Sequence, residues 1–138
     1  MEVCGTHTFA IAKFGIKSIY SKTINFLSGP GCPVCVTSQQ DIDYIIELAK
    51  NKSNIIVSFG DMIRVPSGDL KMSLEKLPQD NIKIIYSVAE ALNAALSNPS
   101  KNVIFIAVGF ETTSPLIASI IAEAKEKNIE NFFIFTAL

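Results

Sequence analysis

The sequence lacks the features that mark several broad classes of protein. It has no block of Lys or Arg, its formal net charge is -1, and it contains only three Tyr. It therefore has no electrostatic footprint for nucleic acid or for an anionic membrane. No apolar run approaches the roughly 20 residues that span a bilayer, and the first residues lack the basic and long apolar regions of a signal peptide. We expect a cytoplasmic protein that binds neither nucleic acid nor membrane.

Cysteine and histidine are also scarce, with three Cys and one His in 138 residues. In a reducing cytoplasm, Cys residues act as metal ligands or redox thiols more often than as structural disulfides. The hydrophobic fraction of 49% and charged fraction of 18% indicate a well-buried core and exclude a disordered chain. The length suits one domain or part of a larger one.

Apolar runs of strand length alternate with segments of helical period along the chain. This alternation predicts an α/β fold with a mostly parallel, doubly wound (Rossmann-like) sheet and helices on both faces. Because both ends of the chain fall in strand-like runs, we interpret residues 1–138 as an α/β fragment of a longer protein. Strands are predicted at residues 1–4, 25–28, 54–59, 82–87, 103–108 and 132–136, and helices at 9–19, 38–50, 70–77, 88–96 and 115–127.

The unusual motifs follow predicted strands. They occupy residues 4–8, 29–37, 60–66 and 109–113. In parallel sheets, chemistry collects at the carboxyl ends of strands, where loops lead into helices. If the four loops share one rim, they surround a single site.

Two thiols, Cys32 and Cys35, stand two residues apart before a predicted helix. This spacing is typical of a redox pair, and a nearby helix start favours the thiolate. Burial as two small apolar side chains is the plain alternative. With Cys4 and His7, the pair also has the composition of a Cys₃His zinc site. His7 either takes a direct role in the site or forms hydrogen bonds within its loop.

The other two loops carry charged side chains. Asp61 and Arg64 place an acid and a base in one loop, although an Asp cap and a surface Arg explain them nearly as well. Glu111 and Thr112 lie in a tight turn that feeds a helix, where an anion can bind. However, Glu111 opposes phosphate and no nucleotide-binding pattern is present. Capping alone also explains the threonines.

Together the four loops resemble the signature blocks of the HypD family, in that family's order. The blocks read CGTHT at residues 4–8, GPGCPVC at 29–35, FGDM-x-RVP at 59–66 and GFETT-x-P at 109–115. The resemblance implies a scaffold for the Fe(CN)2(CO) unit of nickel–iron hydrogenase, more than a turnover enzyme. It also implies a HypC-type chaperone and a HypE-type cyanide donor as partners.

The resemblance assigns roles by motif. Cys4 matches the cysteine that holds the iron, and Cys32 and Cys35 match a redox-active pair. A 4Fe-4S cluster is implied only for full-length members, since its ligands are absent from this chain. A thiol–disulfide oxidoreductase that uses Cys32 and Cys35, or a zinc-stabilised interaction domain, are the alternative functions. The polar residues that match the lining of the same cleft are His7, Asp61, Arg64, Glu111 and Thr112.

Overall fold

The computed structural model describes residues 1–2, 5–27, 29, 31–69 and 71–137, with the backbone alone at residues 5 and 6. Its contacts divide the chain into two units, Met1–Val36 and Thr37–Leu138. Within the described ranges, no helix has the length and apolar character needed to cross a bilayer.

The first unit is built from short helices. They are α1 (Gly5–Lys13), α2 (Ile16–Tyr20) and α3 (Pro33–Val36). The predicted single helix over residues 9–19 is wrong, because it begins earlier and is divided in two. Gly15 lies between α1 and α2 with a φ of 63°, a left-handed conformation that ends a helix and that Gly adopts without steric cost.

The strands predicted at residues 1–4 and 25–28 do not form a ladder in the described residues. Residues 25–27 lie outside any strand, and Glu2 makes one isolated pairing in which its N–H donates to the Leu27 carbonyl at 3.1 Å. Residues 3, 4 and 28 lie outside the described residues. One backbone bond between two short segments lacks the further strands that stabilise a sheet.

The second unit confirms the predicted α/β fold with a parallel sheet. Four strands pair in the order β2-β1-β3-β4, and every pairing is parallel. The strands are β1 (Asn54–Ser58), β2 (Ile82–Ile84), β3 (Asn102–Val108) and β4 (Phe132–Ala137); the helices are α4 (Gln39–Lys50), α5 (Gly60–Ile63), α6 (Val88–Ser97) and α7 (Ser114–Glu126), with 3-10 turns at Leu74–Lys76 and Gln79–Asn81.

The two central strands are buried on both faces, as their unbroken apolar sequences predict. Val57 and Phe105 are fully buried in a core cluster with residues of α6 and α7. Ile56 and Ile106, which point to the opposite face by strand alternation, are also fully buried. Helix α4 contacts β1. The sheet therefore carries helices on both faces.

Helix α4 begins where its sequence predicts. The Ser38 hydroxyl accepts a hydrogen bond from the Asp41 N–H at 3.1 Å and donates to the Asp41 carboxylate at 2.7 Å. This reciprocal pairing satisfies a free donor of the first turn. The apolar stripe of the helix, at helical spacing, is buried; it consists of Ile42, Ile45, Ile46 and Ala49.

The predicted helix over residues 70–77 is not formed. Leu70 lies outside the described residues, Lys71 has a φ of 49°, and a single 3-10 turn covers Leu74–Lys76. The left-handed conformation of Lys71 is incompatible with a helix at that position, and Pro78 follows directly after Leu77. The spacing of apolar residues alone did not distinguish this connection from a helix.

Asparagines at the amino ends of the strands tie the sheet to its helices. The Asn54 amide donates to the Leu48 carbonyl at 2.9 Å, and the Asn81 amide donates to the Ala49 carbonyl at 2.7 Å. Both carbonyls belong to the last turn of α4, and carbonyls of a last turn have no N–H partners within their own helix. The amide of Asn131 binds carbonyls at the end of α6 in the same way.

We expect Asn131→Ala to lower the free energy of unfolding by about 1–3 kcal/mol, because it removes three hydrogen bonds to backbone carbonyls at a part-buried position. The Asn131 amide donates to the carbonyls of Ala95, Asn98 and Lys101 at 3.0–3.1 Å. Urea denaturation measures the difference. Asn93→Ala is the matched control, since Asn93 is exposed on α6. Equal stabilities of the two variants would contradict this role of Asn131.

Candidate functional site

The strands β1 and β3, which are neighbours in the sheet, end at the same edge. From β1 the chain continues to β2 on one side, whereas from β3 it continues to β4 on the other side. Ligands of open α/β sheets bind at such a reversal of strand order. Two of the four motifs, at residues 59–66 and 109–115, directly follow these strands and lie at this edge.

The motif after β1 forms the single helical turn α5. Its apolar residues Met62 and Ile63 are each 3% exposed and anchor the turn in the core. Asp61 in the first turn and Arg64 at the end of α5 are exposed. The sequence did not predict this turn, but the two charged residues it singled out are the ones that face solvent.

A cavity of about 420 Å³ lies beside α5. The Arg64 Nε is 3.7 Å from a carboxylate oxygen of Glu75, and both side chains are largely exposed. An exposed ion pair of this length is worth little, so Arg64 is available for other anionic groups. No pattern in the sequence had indicated Glu75. The cavity is lined by Gly60, Asp61, Ile63, Arg64, Glu75, Gln79, Ile84 and Tyr86.

The motif after β3 is a tight turn in which the side chain of Thr113 packs closely against Gly109. A Cβ at Gly109 would lie 2.6 Å from the Cβ and Oγ1 of Thr113. The Thr113 N–H donates to the Phe110 carbonyl at 2.8 Å, while Glu111 and Thr112 are exposed. The turn thus presents Glu111 and Thr112 to solvent at the edge where Asp61 follows β1.

The Cys pair belongs to the first unit and lies at a single helical turn. Cys32 precedes α3 and Cys35 lies within it, and the Cys35 N–H donates to the Cys32 carbonyl at 3.0 Å. Cys32 is half-buried and Cys35 is exposed. The longer helix α4 begins only after its own cap at Ser38. The turn that holds the cysteines is therefore distinct from the helix that the sequence placed after them.

His7 lies on α1 and is exposed. It lines a cavity of about 320 Å³ together with Glu2, a residue that sequence reasoning missed. The Glu2 Oε1 accepts a hydrogen bond from the Thr8 hydroxyl at 3.1 Å. The sequence did contain a reason to consider Glu2, since it is the only acidic residue among the first 40 and stands two positions before Cys4.

The predicted iron ligand Cys4 lies outside the described residues. Among the residues that the structure does describe, no three His, Cys, Asp or Glu side chains are grouped to hold a metal ion. The structure brings the loops of Asp61 and Glu111 to one edge of the sheet. The other two motifs lie in the first unit, whose described residues contribute no strand to the sheet.

Comparison with known proteins identifies relatives along the whole chain. The family model HypD, described as the hydrogenase formation hypA family, matches residues 1–138. The chain is 41% identical over 135 residues to hydrogenase maturation factor HypD of Escherichia coli (strain K12), covering 98% of this chain and 36% of that protein. It is 43% identical over 136 residues to hydrogenase expression/formation protein HupD of Azotobacter chroococcum mcd 1, with the same coverage.

An archaeal relative matches to a similar extent. The chain is 40% identical over 134 residues to a putative hydrogenase expression/formation protein of Methanocaldococcus jannaschii, covering 97% of this chain and 37% of that protein. The chain thus spans little more than a third of the length of these curated relatives.

Proposed function

We propose, since this chain belongs to the HypD family, that it forms part of a cytoplasmic scaffold for hydrogenase maturation on which the Fe(CN)2(CO) unit is assembled. The observation that carries the proposal is the family match over residues 1–138, which includes all four motifs in order. The names of the relatives at about 40% identity refer to hydrogenase maturation, expression or formation.

In this proposal Cys4 holds the iron, which is cargo and not a resident cofactor. A soft thiolate suits a low-valent iron that carries strong-field cyanide and carbonyl ligands. Cys4 stands between Glu2 and the start of α1, in a segment that also carries His7. The carboxylate of Glu2 and the imidazole of His7, which line one cavity, supply polar groups close to it in sequence.

Cys32 and Cys35 act as the redox pair of the scaffold. The turn α3 joins them through the backbone bond from Cys35 to Cys32, so the two residues are separated by one helical turn. Oxidation of two thiols to a disulfide releases two electrons and two protons, which become available for chemistry at the iron centre. The exposure of Cys35 gives an external thiol or disulfide access to the pair.

The loops that follow β1 and β3 form a rim at one edge of the sheet, and this rim carries the other polar residues of the motifs. Asp61, Arg64, Glu111 and Thr112 are all exposed and follow neighbouring strands of one sheet. Exposed groups of both signs suit recognition of a partner protein or of a polar ligand. We assign to this rim a part in engaging the HypC-type chaperone or the HypE-type cyanide donor.

The chain spans about 36% of its relatives, so the complete activity requires the rest of the family's length. The 4Fe-4S cluster belongs to that remaining part. The natural test is therefore a chimaera in which this chain replaces the matching segment of a full-length relative.

The chimaera, purified without oxygen together with its chaperone, should show the infrared stretching bands of iron-bound cyanide and carbonyl. The chimaera prepared without the cyanide donor is the control and should lack the cyanide bands. Absence of the bands, together with turnover of small disulfides by the chain alone, would support a thiol–disulfide oxidoreductase. Stoichiometric zinc whose removal unfolds the chain would support a zinc-stabilised domain. Either result contradicts the scaffold.

A further inference from the structure

Strand β2 lies at one end of the strand order, so its outer edge pairs with no strand of the described sheet. Just after β2, the Ile85 N–H donates to the Ser58 carbonyl of β1 at 3.0 Å. Because the backbone groups of successive residues in a strand point in alternate directions, the N–H and carbonyl of Ile84 point to the outer edge. An open strand edge is a template on which a strand of another chain can pair.

The free part of this edge is short and has definite ends. Before Ile84, the Ile82 N–H donates to the Gln79 carbonyl. After Ile84, the Tyr86 N–H donates to the Glu90 carboxylate at 3.3 Å. In the described structure, the Ile84 N–H is therefore the outward donor that remains for a partner strand.

A groove lies on each side of this edge. One groove, of about 500 Å³, is lined by Lys83 and by residues of α6. The other is the cavity of about 420 Å³ beside α5, which Ile84 and Tyr86 also line. Side chains of a strand alternate between its two faces. A strand added to β2 would therefore direct adjacent side chains into different grooves.

The two grooves differ in the charge that is left without a partner. Beside α5, Arg64 and Glu75 pair with each other, which leaves the carboxylate of Asp61. Beside α6, Glu90 lies in the first turn of the helix, where the helix dipole stabilises its negative charge. This leaves the ammonium group of Lys83. No ion pair among the described residues includes Asp61 or Lys83.

We propose that the outer edge of β2 binds an extended segment of a partner protein in which a basic and an acidic residue are adjacent. The segment adds a strand to the sheet, with its basic side chain towards Asp61 and its acidic side chain towards Lys83. A second copy of this chain fits less well, because edge-to-edge pairing about a twofold axis places Lys83 on the same face as its copy. This inference deepens the partner recognition that we assign to the rim, and in that respect it rests on the proposed function.

The test uses fluorescence anisotropy to measure how the 138-residue chain binds a labelled, Thr-rich peptide with an Arg and a Glu side by side at its centre. The matched control is a peptide of the same composition in which one Thr separates the two charges. Its charges fall on one face of a strand, so it should bind more weakly by about fivefold or more. N-methylation of alternate amides should abolish binding on the side that faces β2 and preserve it on the other side.

The variant Lys83→Glu locates the peptide on the chain. It should weaken binding of the peptide with adjacent Arg and Glu by about fivefold or more, and a peptide with adjacent Arg and Lys should recover the loss. Lys52→Glu is the control, since Lys52 is exposed in the turn before β1, and it should leave the affinity unchanged. Circular dichroism checks the fold of each variant.

Three results would overturn the proposal. They are no binding at peptide concentrations up to about 1 mM, equal affinities for the two peptides, and equal effects of Lys83→Glu and Lys52→Glu. Dimers that light scattering detects and that the peptide dissociates would show that the edge binds a second copy, which contradicts the proposal as well. Anisotropy is independent of the infrared bands, so failure of this site and failure of the scaffold are distinguishable.

Discussion

Cys4→Ala in the chimaera will abolish the infrared bands of iron-bound cyanide and carbonyl while the α/β unit keeps its fold. The reason is chemical, because a methyl side chain offers no ligand to iron whereas a thiolate is a strong soft donor. Residue 4 precedes α1 in the first unit. The core of the sheet is formed by residues of the second unit, and circular dichroism should therefore be unchanged.

Cys35→Ala provides the matched control for Cys4→Ala, since it removes one thiol from the same unit. In our proposal it impairs the supply of electrons but leaves an iron ligand at residue 4, so iron delivered in reduced form should still be retained. An oxidoreductase that uses only Cys32 and Cys35 predicts instead that turnover of small disulfides survives Cys4→Ala and is lost in Cys35→Ala. Bands that persist in Cys4→Ala and disappear in Cys35→Ala would show that the iron assignment is wrong.

Gly109→Ala should lower the free energy of unfolding by about 1–3 kcal/mol, the range typical of overpacking in a well-packed site. Its new methyl group would lie 2.6 Å from the Cβ and Oγ1 of Thr113, closer than side-chain atoms approach. The turn must open to relieve the clash, which displaces Glu111 and Thr112 from the rim. Urea denaturation and chaperone binding by the chimaera measure the two consequences.

Two further variants separate the clash from a general effect of replacing Gly. Gly60→Ala follows β1 as Gly109 follows β3, but its Cβ would meet only the Ile84 Cγ2 at 3.6 Å. This is an ordinary contact, so we expect no loss of stability. Gly109→Ala combined with Thr113→Gly removes the side chain that causes the clash and should recover most of the loss. Equal losses in Gly109→Ala and the double variant would contradict the packing argument.

Much of the second unit follows from local sequence patterns. The unbroken apolar run over residues 103–108 predicted a strand buried on both faces, and β3 is such a strand. The helix predicted from residue 38 is α4, and the side chains of Ser38 and Asp41 form its cap. These features depend on residues a few positions apart, which is the range over which hydrophobic period and capping act.

Other predictions failed where the backbone conformation of a single residue prevented the helix that the spacing of apolar residues predicted. Gly15 divides the helix predicted over residues 9–19, and the left-handed Lys71 excludes a helix at its position. The sequence had suggested one rim for all four motifs, and the structure places two of them after β1 and β3. Which strands are neighbours depends on pairing between segments far apart in the sequence. The spacing of apolar residues does not determine that pairing.

The sequence by itself determined the family, the α/β class and the identity of the residues with reactive or charged groups. Only the tertiary structure decided which of those residues meet. It set Asp61 and Glu111 on loops of adjacent strands, and it placed Glu2 and His7 in the lining of one cavity. The physical reason is that residue type and spacing are properties of the sequence itself. Burial and hydrogen-bond satisfaction depend instead on segments that come together only on folding.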